Sequence, residues 1–180
     1  MKLTLIRHTS VDVPKGICYG ITDVPLASSF PDELKKVRQK LVYKKFDVVY
    51  SSPLTRCTSL AREIISSQLI HTDSRLTELD FGDWEMATWK SIYESEAGKE
   101  WFANYVKARC PGGESFIDLI NRGESFLNEL KSKNLRNAAI FTHAGIIRAV
   151  MCLLQDKTPE EAFETPLEYG KMITFNLDNE

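Results

Sequence analysis

Ala138-Ala139-Ile140-Phe141-Thr142-His143-Ala144-Gly145-Ile146-Ile147-Arg148-Ala149-Val150 is the stretch whose reading decides the fold class. Its first four residues form a short apolar run, the length of a buried strand rather than a helix. Beyond Gly145, Ile146, Ile147, Val150, Met151 and Leu154 recur at helical spacing. A buried strand passing straight into an amphipathic helix is the unit of an α/β fold, and the pattern recurs on both sides of it. Phe46 to Tyr50 is a second strand-like run, followed by Ser52 as an expected N-cap, Pro53 in the first turn, and Leu54, Cys57, Leu60, Ala61 and Ile64 at helical spacing. Leu3 to Ile6 is a third. The helix after it, over residues 31 to 43, opens on Asp32 and Glu33, turns Leu34, Val37 and Leu41 inward, and leaves Lys35, Lys36, Arg38 and Lys40 as a solvated face.

The remaining chain continues the alternation. Residues 86 to 106 carry Trp89, Ile92, Tyr93, Trp101, Phe102, Tyr105 and Val106 at helical spacings, which predicts one or two aromatic-rich helices before the breaker Pro111-Gly112-Gly113. Phe116, Leu119, Ile120, Phe126 and Leu130 predict a further helix, and Met172 to Leu177 a closing strand. Strand, helix, strand, helix implies an α/β sandwich with a mainly parallel sheet. No repeat or linker divides the 180 residues, so one domain over 1–180 is expected.

Composition narrows the function. With 23 basic and 25 acidic residues the net charge is −2, so no global field exists to hold nucleic acid or an anionic membrane, and any anion site must be local. The four cysteines, Cys18, Cys57, Cys110 and Cys152, never form a C-x-x-C pair, which speaks against a zinc knuckle or redox pair. Arg7 and His8 interrupt the N-terminal apolar run before a signal core can form. A reducing, cytoplasmic location is expected, with neither membrane nor nucleic acid as partner.

Ligands of open α/β sheets bind beyond the carboxyl ends of strands. Three such ends here carry cations or imidazoles: Arg7-His8, Ser51-Ser52-Pro53-Leu54-Thr55-Arg56, and Thr142-His143-Ala144-Gly145. Two arginines, two imidazoles and two helix N-termini converging on one point make a site for a group with several oxygens, and phosphate fits best. A neutral imidazole there could attack phosphorus to give a phosphohistidine. The third histidine, His71, lacks this context and reads as structural. A proton donor for the leaving alcohol is expected in Arg75 to Glu85, where Glu78 ranks first by a small margin over Asp80, Asp83 and Glu85. Neither G-x-x-x-x-G-K-[ST] nor G-x-G-x-x-G occurs, no D-x-D pair is present, and the positions six after the cysteines are Val24, Glu63, Phe116 and Thr158 rather than Arg. No metal or cofactor is called for.

Taken together, Arg7-His8-Thr9, Ser51-Ser52-Pro53-Leu54-Thr55-Arg56, Arg75-Leu76-Thr77-Glu78 with Phe81-Gly82, Pro111-Gly112-Gly113-Glu114-Ser115 and Thr142-His143-Ala144-Gly145 resemble the histidine phosphatase superfamily, which includes cofactor-dependent phosphoglycerate mutases. The resemblance implies a three-layer α/β/α sandwich with a mixed sheet, His8 as nucleophile, Glu78 as acid and then base, and Arg7, Arg56 and His143 as holders of the phosphoryl oxygens. Arg-His-Thr with Cys18-Tyr19-Gly20-Ile21-Thr22-Asp23-Val24-Pro25-Leu26 is similar to α-ribazole phosphatases, and places Tyr19, Gly20 and Thr22 at the substrate. Two positions depart from the pattern: Met86 stands where W-E-G is common, and the segment before the 31–43 helix lacks its usual Gly.

The expected activity is therefore a metal-independent phosphomonoesterase acting on α-ribazole 5′-phosphate in building the cobalamin nucleotide loop, with a small-molecule phosphomonoester as partner and homodimerisation left open. A broad-specificity phosphatase, a mutase on sugar or glycolytic phosphates, and a non-catalytic phospho-ligand-binding module are the alternatives. Residues 84 to 110 are expected as a helical lid whose aromatic side chains stack on a heterocycle.

Overall fold

The chain is described by a computed structural model covering residues 1–177. Five strands, β1 (Lys2–Arg7), β2 (Val48–Ser51), β3 (Ile70–Thr72), β4 (Asn137–Thr142) and β5 (Met172–Asn176), form one sheet in the order β3-β2-β4-β1-β5. The first four run parallel and β5 lies antiparallel on β1, so the sheet is mixed. Seven α-helices accompany it: α1 (Phe30–Leu41), α2 (Thr55–Ile64), α3 (Trp89–Glu94), α4 (Glu96–Ala103), α5 (Phe116–Lys131), α6 (Ala144–Gln155) and α7 (Pro159–Glu164).

Strand alternation divides the core in two. Leu3, Leu5, Tyr50, Ala138 and Ile140 point to one face and pack with Leu119, Phe126, Leu127, Leu130, Ile146, Ile147 and Val150 of α5 and α6. Ile6, Val49, Ala139 and Phe141 point to the other and pack with Leu34, Val37, Leu41, Cys57, Leu60 and Ala61 of α1 and α2. Helices on both faces make the three expected layers, and explain why the central strands are apolar on both faces rather than alternating with polar residues, Thr4 being the buried exception in β1.

β3 and the start of α2 differ from the sequence expectation, while the aromatic segment takes the two-helix form of it. β3 is three residues long and carries only Ile70 as a half-buried apolar side chain, too little for a strand pattern to show. The aromatic segment resolves into two short helices, α3 and α4, separated at Ser95, whose hydroxyl accepts the Gly98 N–H and caps the second. Ser52 does not cap α2: the helix starts at Thr55, and Asp23 takes the cap from a distant loop by accepting from the Thr55 N–H at 2.8 Å and its hydroxyl at 2.5 Å. Met86 occupies left-handed backbone at φ 65°, the conformation a glycine adopts most readily, so its loop keeps that course with a bulkier residue.

Candidate active site

Register brings the motifs together. In the parallel pairing Arg7 lies opposite Thr142 and Ser51 opposite Phe141, so His8, His143 and Ser52, each just past a strand end, become neighbours. The His8 N–H donates to the Thr142 carbonyl at 3.0 Å and the Ser52 N–H to the Phe141 carbonyl at 2.9 Å, extending the ladder to the residues that carry the chemistry. The His8 and His143 rings meet edge-on, with centroids 5.1 Å apart. His71 lies in β3 against Tyr50, outside this group.

Hydrogen bonds set the two imidazoles in opposite tautomers. His8 Nδ1 lies 2.7 Å from the Thr9 carbonyl oxygen, which can only accept, so Nδ1 carries the proton and Nε2 keeps its lone pair. His143 Nδ1 faces the Arg56 Nε–H at 3.3 Å and must accept, which leaves its Nε2–H to donate to the Ser52 hydroxyl at 2.8 Å. Ser52 thus orients the second histidine, the role it takes instead of capping α2. Burial, followed by the Arg56 charge, holds His8 well below the ordinary imidazole pKa. Burial, then the neighbouring His8 and Arg56, does the same for His143. Both rings are neutral near pH 7.

Arg56 is fully buried behind the histidines, with its other donors on the Thr22 carbonyl at 2.8 Å and the Gly20 carbonyl at 2.5 Å. These bonds use three of the five guanidinium N–H groups. The Gly20 to Thr22 loop is itself held by Glu85, whose carboxylate accepts from the backbone N–H of Gly20, Ile21 and Thr22, from the Thr22 hydroxyl, and from the Phe81 N–H. Burial pushes Glu85 up, but those donors outweigh it and hold the carboxyl below its usual range. A Cβ at Gly20 would sit 1.8 Å from the Leu79 carbonyl oxygen, so the loop can dock this closely only with glycine there. Gly20 and Thr22 accordingly fasten Arg56 by their carbonyls and do not line the cleft, in contrast to the substrate contact expected of them. Tyr19 does line it.

Above the histidines, the Tyr19 and Tyr169 hydroxyls meet at 2.8 Å. The Arg7 guanidinium lies 4.2 Å from the Tyr169 ring centre and donates to the Leu167 carbonyl, and Arg56 lies 5.5 Å from the Tyr19 ring centre. The joined phenols therefore roof both arginines. Beneath them, the Arg7 Nε and the Thr9 hydroxyl are buried without a partner.

Glu78 is the acid that reaches the cleft, together with Arg7, His8 and Tyr19. Its carboxylate accepts the Gly145 N–H at 3.0 Å, at the start of α6, and the Leu79 N–H at 3.1 Å. A Cβ at position 145 would lie 2.1 Å from Glu78 Oε1, so Gly145 makes room for the carboxylate. The competing acids are engaged elsewhere: Asp80 accepts the Gly82 N–H, Asp83 packs against Gly112, and Glu85 holds the Gly20 loop. Arg122 of α5 fixes the Glu78 segment by donating to the Arg75, Thr77 and Glu78 carbonyls and to Glu114. Glu114 belongs to Pro111-Gly112-Gly113-Glu114-Ser115, so that turn serves as scaffold for the acid. Ser115 caps α5 in a capping box with Asp118.

The cleft has a volume of about 290 Å³, and runs from His8 to an aromatic wall of Phe81, Trp89 and Trp101. A depression of about 490 Å³ beside Arg38, Lys44 and Phe46 holds none of these groups. Arg148 and Phe163 also line the cleft, and the sequence reading did not single them out. The available signal for Arg148 was its place three residues after Gly145, one helical turn along the same face. Among the described residues, no group of three or more His, Cys, Asp or Glu side chains is placed to hold a metal, and no helix is long and apolar enough to cross a membrane.

Residues 3–180 match the sequence profile of the histidine phosphatase superfamily, branch 1. The chain belongs to the histidine phosphatase superfamily. Its relatives include phosphoserine phosphatase 1 of Hydrogenobacter thermophilus, 29% identical over 99% of this chain and 83% of that protein. The adenosylcobalamin/alpha-ribazole phosphatase of Salmonella typhimurium is 27% identical over 94% of this chain and 87% of that one. The crystal structure of the alpha-ribazole phosphatase from Shigella flexneri superimposes with a TM-score of 0.88, at 26% identity, covering 97% of this chain and 89% of that one. A histidine phosphatase domain with phosphatases and mutases among its relatives agrees with the phosphoryl chemistry expected from the strand ends.

Proposed function

We propose that this protein is a metal-independent phosphomonoesterase that works through a phosphohistidine at His8. The observation that carries the reading is the bare His8 Nε2, held by the Nδ1 bond to Thr9 and facing a cleft shared with Arg7 and the Glu78 carboxyl group. In the first step the Nε2 lone pair attacks phosphorus, an N–P bond forms, and the ester P–O bond breaks. The protonated Glu78 carboxyl gives its proton to the departing alkoxide. In the second step the Glu78 carboxylate takes a proton from water, the water oxygen bonds to phosphorus, and the N–P bond breaks to restore His8. Arg7, Arg56 and His143 hold the non-bridging oxygens. Arg56 and His143 are fully buried and do not line the cleft in this structure, so their part in holding phosphate requires a local opening of the site.

The substrate we favour is α-ribazole 5′-phosphate. The aromatic wall suits a flat heterocycle, residues 84 to 110 serve as the lid that carries Trp89 and Trp101, and the named relatives from Salmonella and Shigella act on that class of ester. The cytoplasm is the compartment this role implies. Phosphoserine is the second reading, favoured by the 29% identical Hydrogenobacter relative. The test is kcat/KM for phosphate release from α-ribazole 5′-phosphate, phosphoserine, 3-phosphoglycerate and a nucleoside monophosphate with EDTA present. A preference of about 10²-fold or more for α-ribazole 5′-phosphate is the expected result. A comparable preference for phosphoserine replaces the substrate, and loss of all turnover in EDTA contradicts the metal-independent mechanism.

A further inference from the structure

The cleft is lined by two residues that carry hydrogen-bond donors with nothing to donate to. The Arg148 Nε and the Trp101 Nε1 are both buried and without a partner, and both residues line the cleft that His8 and Glu78 open into. Among the described residues, the Arg148 guanidinium makes no hydrogen bond or ion pair at all; it lies over the Phe163 ring at 4.9 Å. An unpaired buried N–H costs about 1–3 kcal/mol, and two in one cleft form a pattern that a ligand would satisfy. The rest of that wall is aromatic: Trp101 stacks near-parallel on Trp89, with ring centres 6.2 Å apart and planes at 26°, and meets Phe81 edge-on. The Trp101 donor therefore sits among aromatic rings, while Arg148 lies on the Phe163 ring within reach of the Glu78 and Arg7 charges. A hydrogen bond from such buried donors to substrate discriminates strongly between esters that have an acceptor and esters that do not.

We propose that Arg148 and Trp101 are the specificity residues of this enzyme, and that they read hydrogen-bond acceptor atoms on the organic part of the phosphomonoester. The inference rests on the phosphatase reading of the His8 end and adds the class of substrate: an alcohol with acceptor oxygens or nitrogens remote from the phosphate, as the ribose and heterocycle of α-ribazole 5′-phosphate provide. Neither residue touches the reacting phosphorus. Their contribution therefore falls on KM and on the choice among substrates, while the chemical step stays with His8 and Glu78.

The experiment compares wild type with Arg148→Met, Arg148→Lys and Trp101→Phe. Met keeps a long apolar stem without a donor, Lys restores a cation, and Phe keeps a ring without the N–H. Each is assayed on the preferred acceptor-bearing ester, chosen from α-ribazole 5′-phosphate and phosphoserine, and on phenyl phosphate, which is flat and has no acceptor beyond its phosphate. Arg148→Met and Trp101→Phe are expected to lower kcat/KM about 10–100-fold on the acceptor-bearing ester, mainly through KM, and to stay within about twofold on phenyl phosphate. Arg148→Lys is expected to recover part of the loss. Phenyl phosphate turnover also shows that each variant is folded. Equal losses on both esters, no loss on either, or a wild-type enzyme that prefers phenyl phosphate overturns the proposal. The wild-type assays judge the substrate reading separately: a preference for phosphoserine discards α-ribazole 5′-phosphate and leaves the variant ratios to decide on Arg148 and Trp101.

Discussion

The end of the cleft at His8 is assembled from strand ends in parallel register, whereas its aromatic wall is assembled from separate helices and turns. Arg7 ends β1, His8, Ser52 and His143 follow β1, β2 and β4, and ladder bonds run directly into His8 and Ser52. Phe81, Trp89, Trp101 and Phe163 come from a turn and from α3, α4 and α7, the last three of which are no longer than eight residues. The first end is fixed by the sheet, and the second by how short elements pack on one another. Chemistry placed on the strand ends and an aromatic wall placed on the short elements can vary independently, with Arg148, on α6 directly after β4, carried by the first frame.

That separation breaks if a change at one end has the effect expected of the other. His8→Ala carries the largest expected effect: turnover falls on the order of 10³-fold or more with every ester, whatever its leaving group, while the fold survives by circular dichroism. A loss confined to some esters would place the nucleophile elsewhere. Glu78→Gln comes next. It is expected to lose about 10²–10⁴-fold with alkyl phosphates and least with p-nitrophenyl phosphate, whose leaving group needs little protonation. An even loss over leaving groups would move the acid role away from Glu78.

Glu85→Ala tests whether Arg56 is held through the Gly20 to Thr22 loop. Removing the acceptor of four backbone N–H groups, three of them in that loop, is expected to weaken vanadate inhibition about tenfold or more, equally for all substrates. Unchanged inhibition would show that Arg56 needs no such support. At the other end, Trp89→Ala is expected to shift the ratio of kcat/KM values between esters while leaving vanadate inhibition as in wild type.

The smallest effects concern stability. His8 and His143 have pKa values lowered in the fold, so below about pH 6.5 the unfolded chain binds protons that the native chain does not. Stability is therefore expected to fall as pH drops from about 6.5 to 5.5, by at most about 1.4 kcal/mol per pH unit for each histidine. It is expected to fall again only above about pH 8, where the unfolded thiols ionise while burial keeps Cys18, Cys57 and Cys110 protonated in the fold. His8→Gln should reduce that slope in urea titrations. An unchanged slope would mean that His8 is protonated in the native state. Met86→Gly relieves left-handed backbone at a non-glycine residue and is expected to raise Tm by about 2–4 °C with activity unaltered.

How much was legible follows the same division. The strands that lead to Arg7, His8, Ser52 and His143 are short, mostly apolar or β-rich runs with helix signals after them, so an α/β sandwich and the convergence of the strand ends could be read from the letters, while the three layers and the mixed sheet were implied by the family resemblance. Ranking Glu78 above its neighbours could not, because Asp80, Asp83 and Glu85 differ from it only in what each carboxylate accepts in three dimensions. Glu85, an acid candidate by spacing, proves to be the anchor of the Gly20 loop, and Gly20 and Thr22 prove to hold Arg56. Arg148 and Phe163 lie 67 or more positions from Glu78 and Phe81, with which they line the cleft, and no local pattern distinguishes a residue that lines a cleft from one that faces solvent. Short β3 escaped for a related reason: its strand character comes from pairing with β2 rather than from its own residues.

The most direct test of the account is an alkaline rapid quench of Glu78→Gln with p-nitrophenyl phosphate, followed by mass spectrometry of the peptide that contains His8. The good leaving group departs without an acid, and the missing base slows hydrolysis of the intermediate. The account predicts one phosphoryl group on His8, formed at the rate of the p-nitrophenol burst and absent in the His8→Ala, Glu78→Gln double variant. Continued p-nitrophenol release with no label on His8, or with the label on another residue, would contradict it.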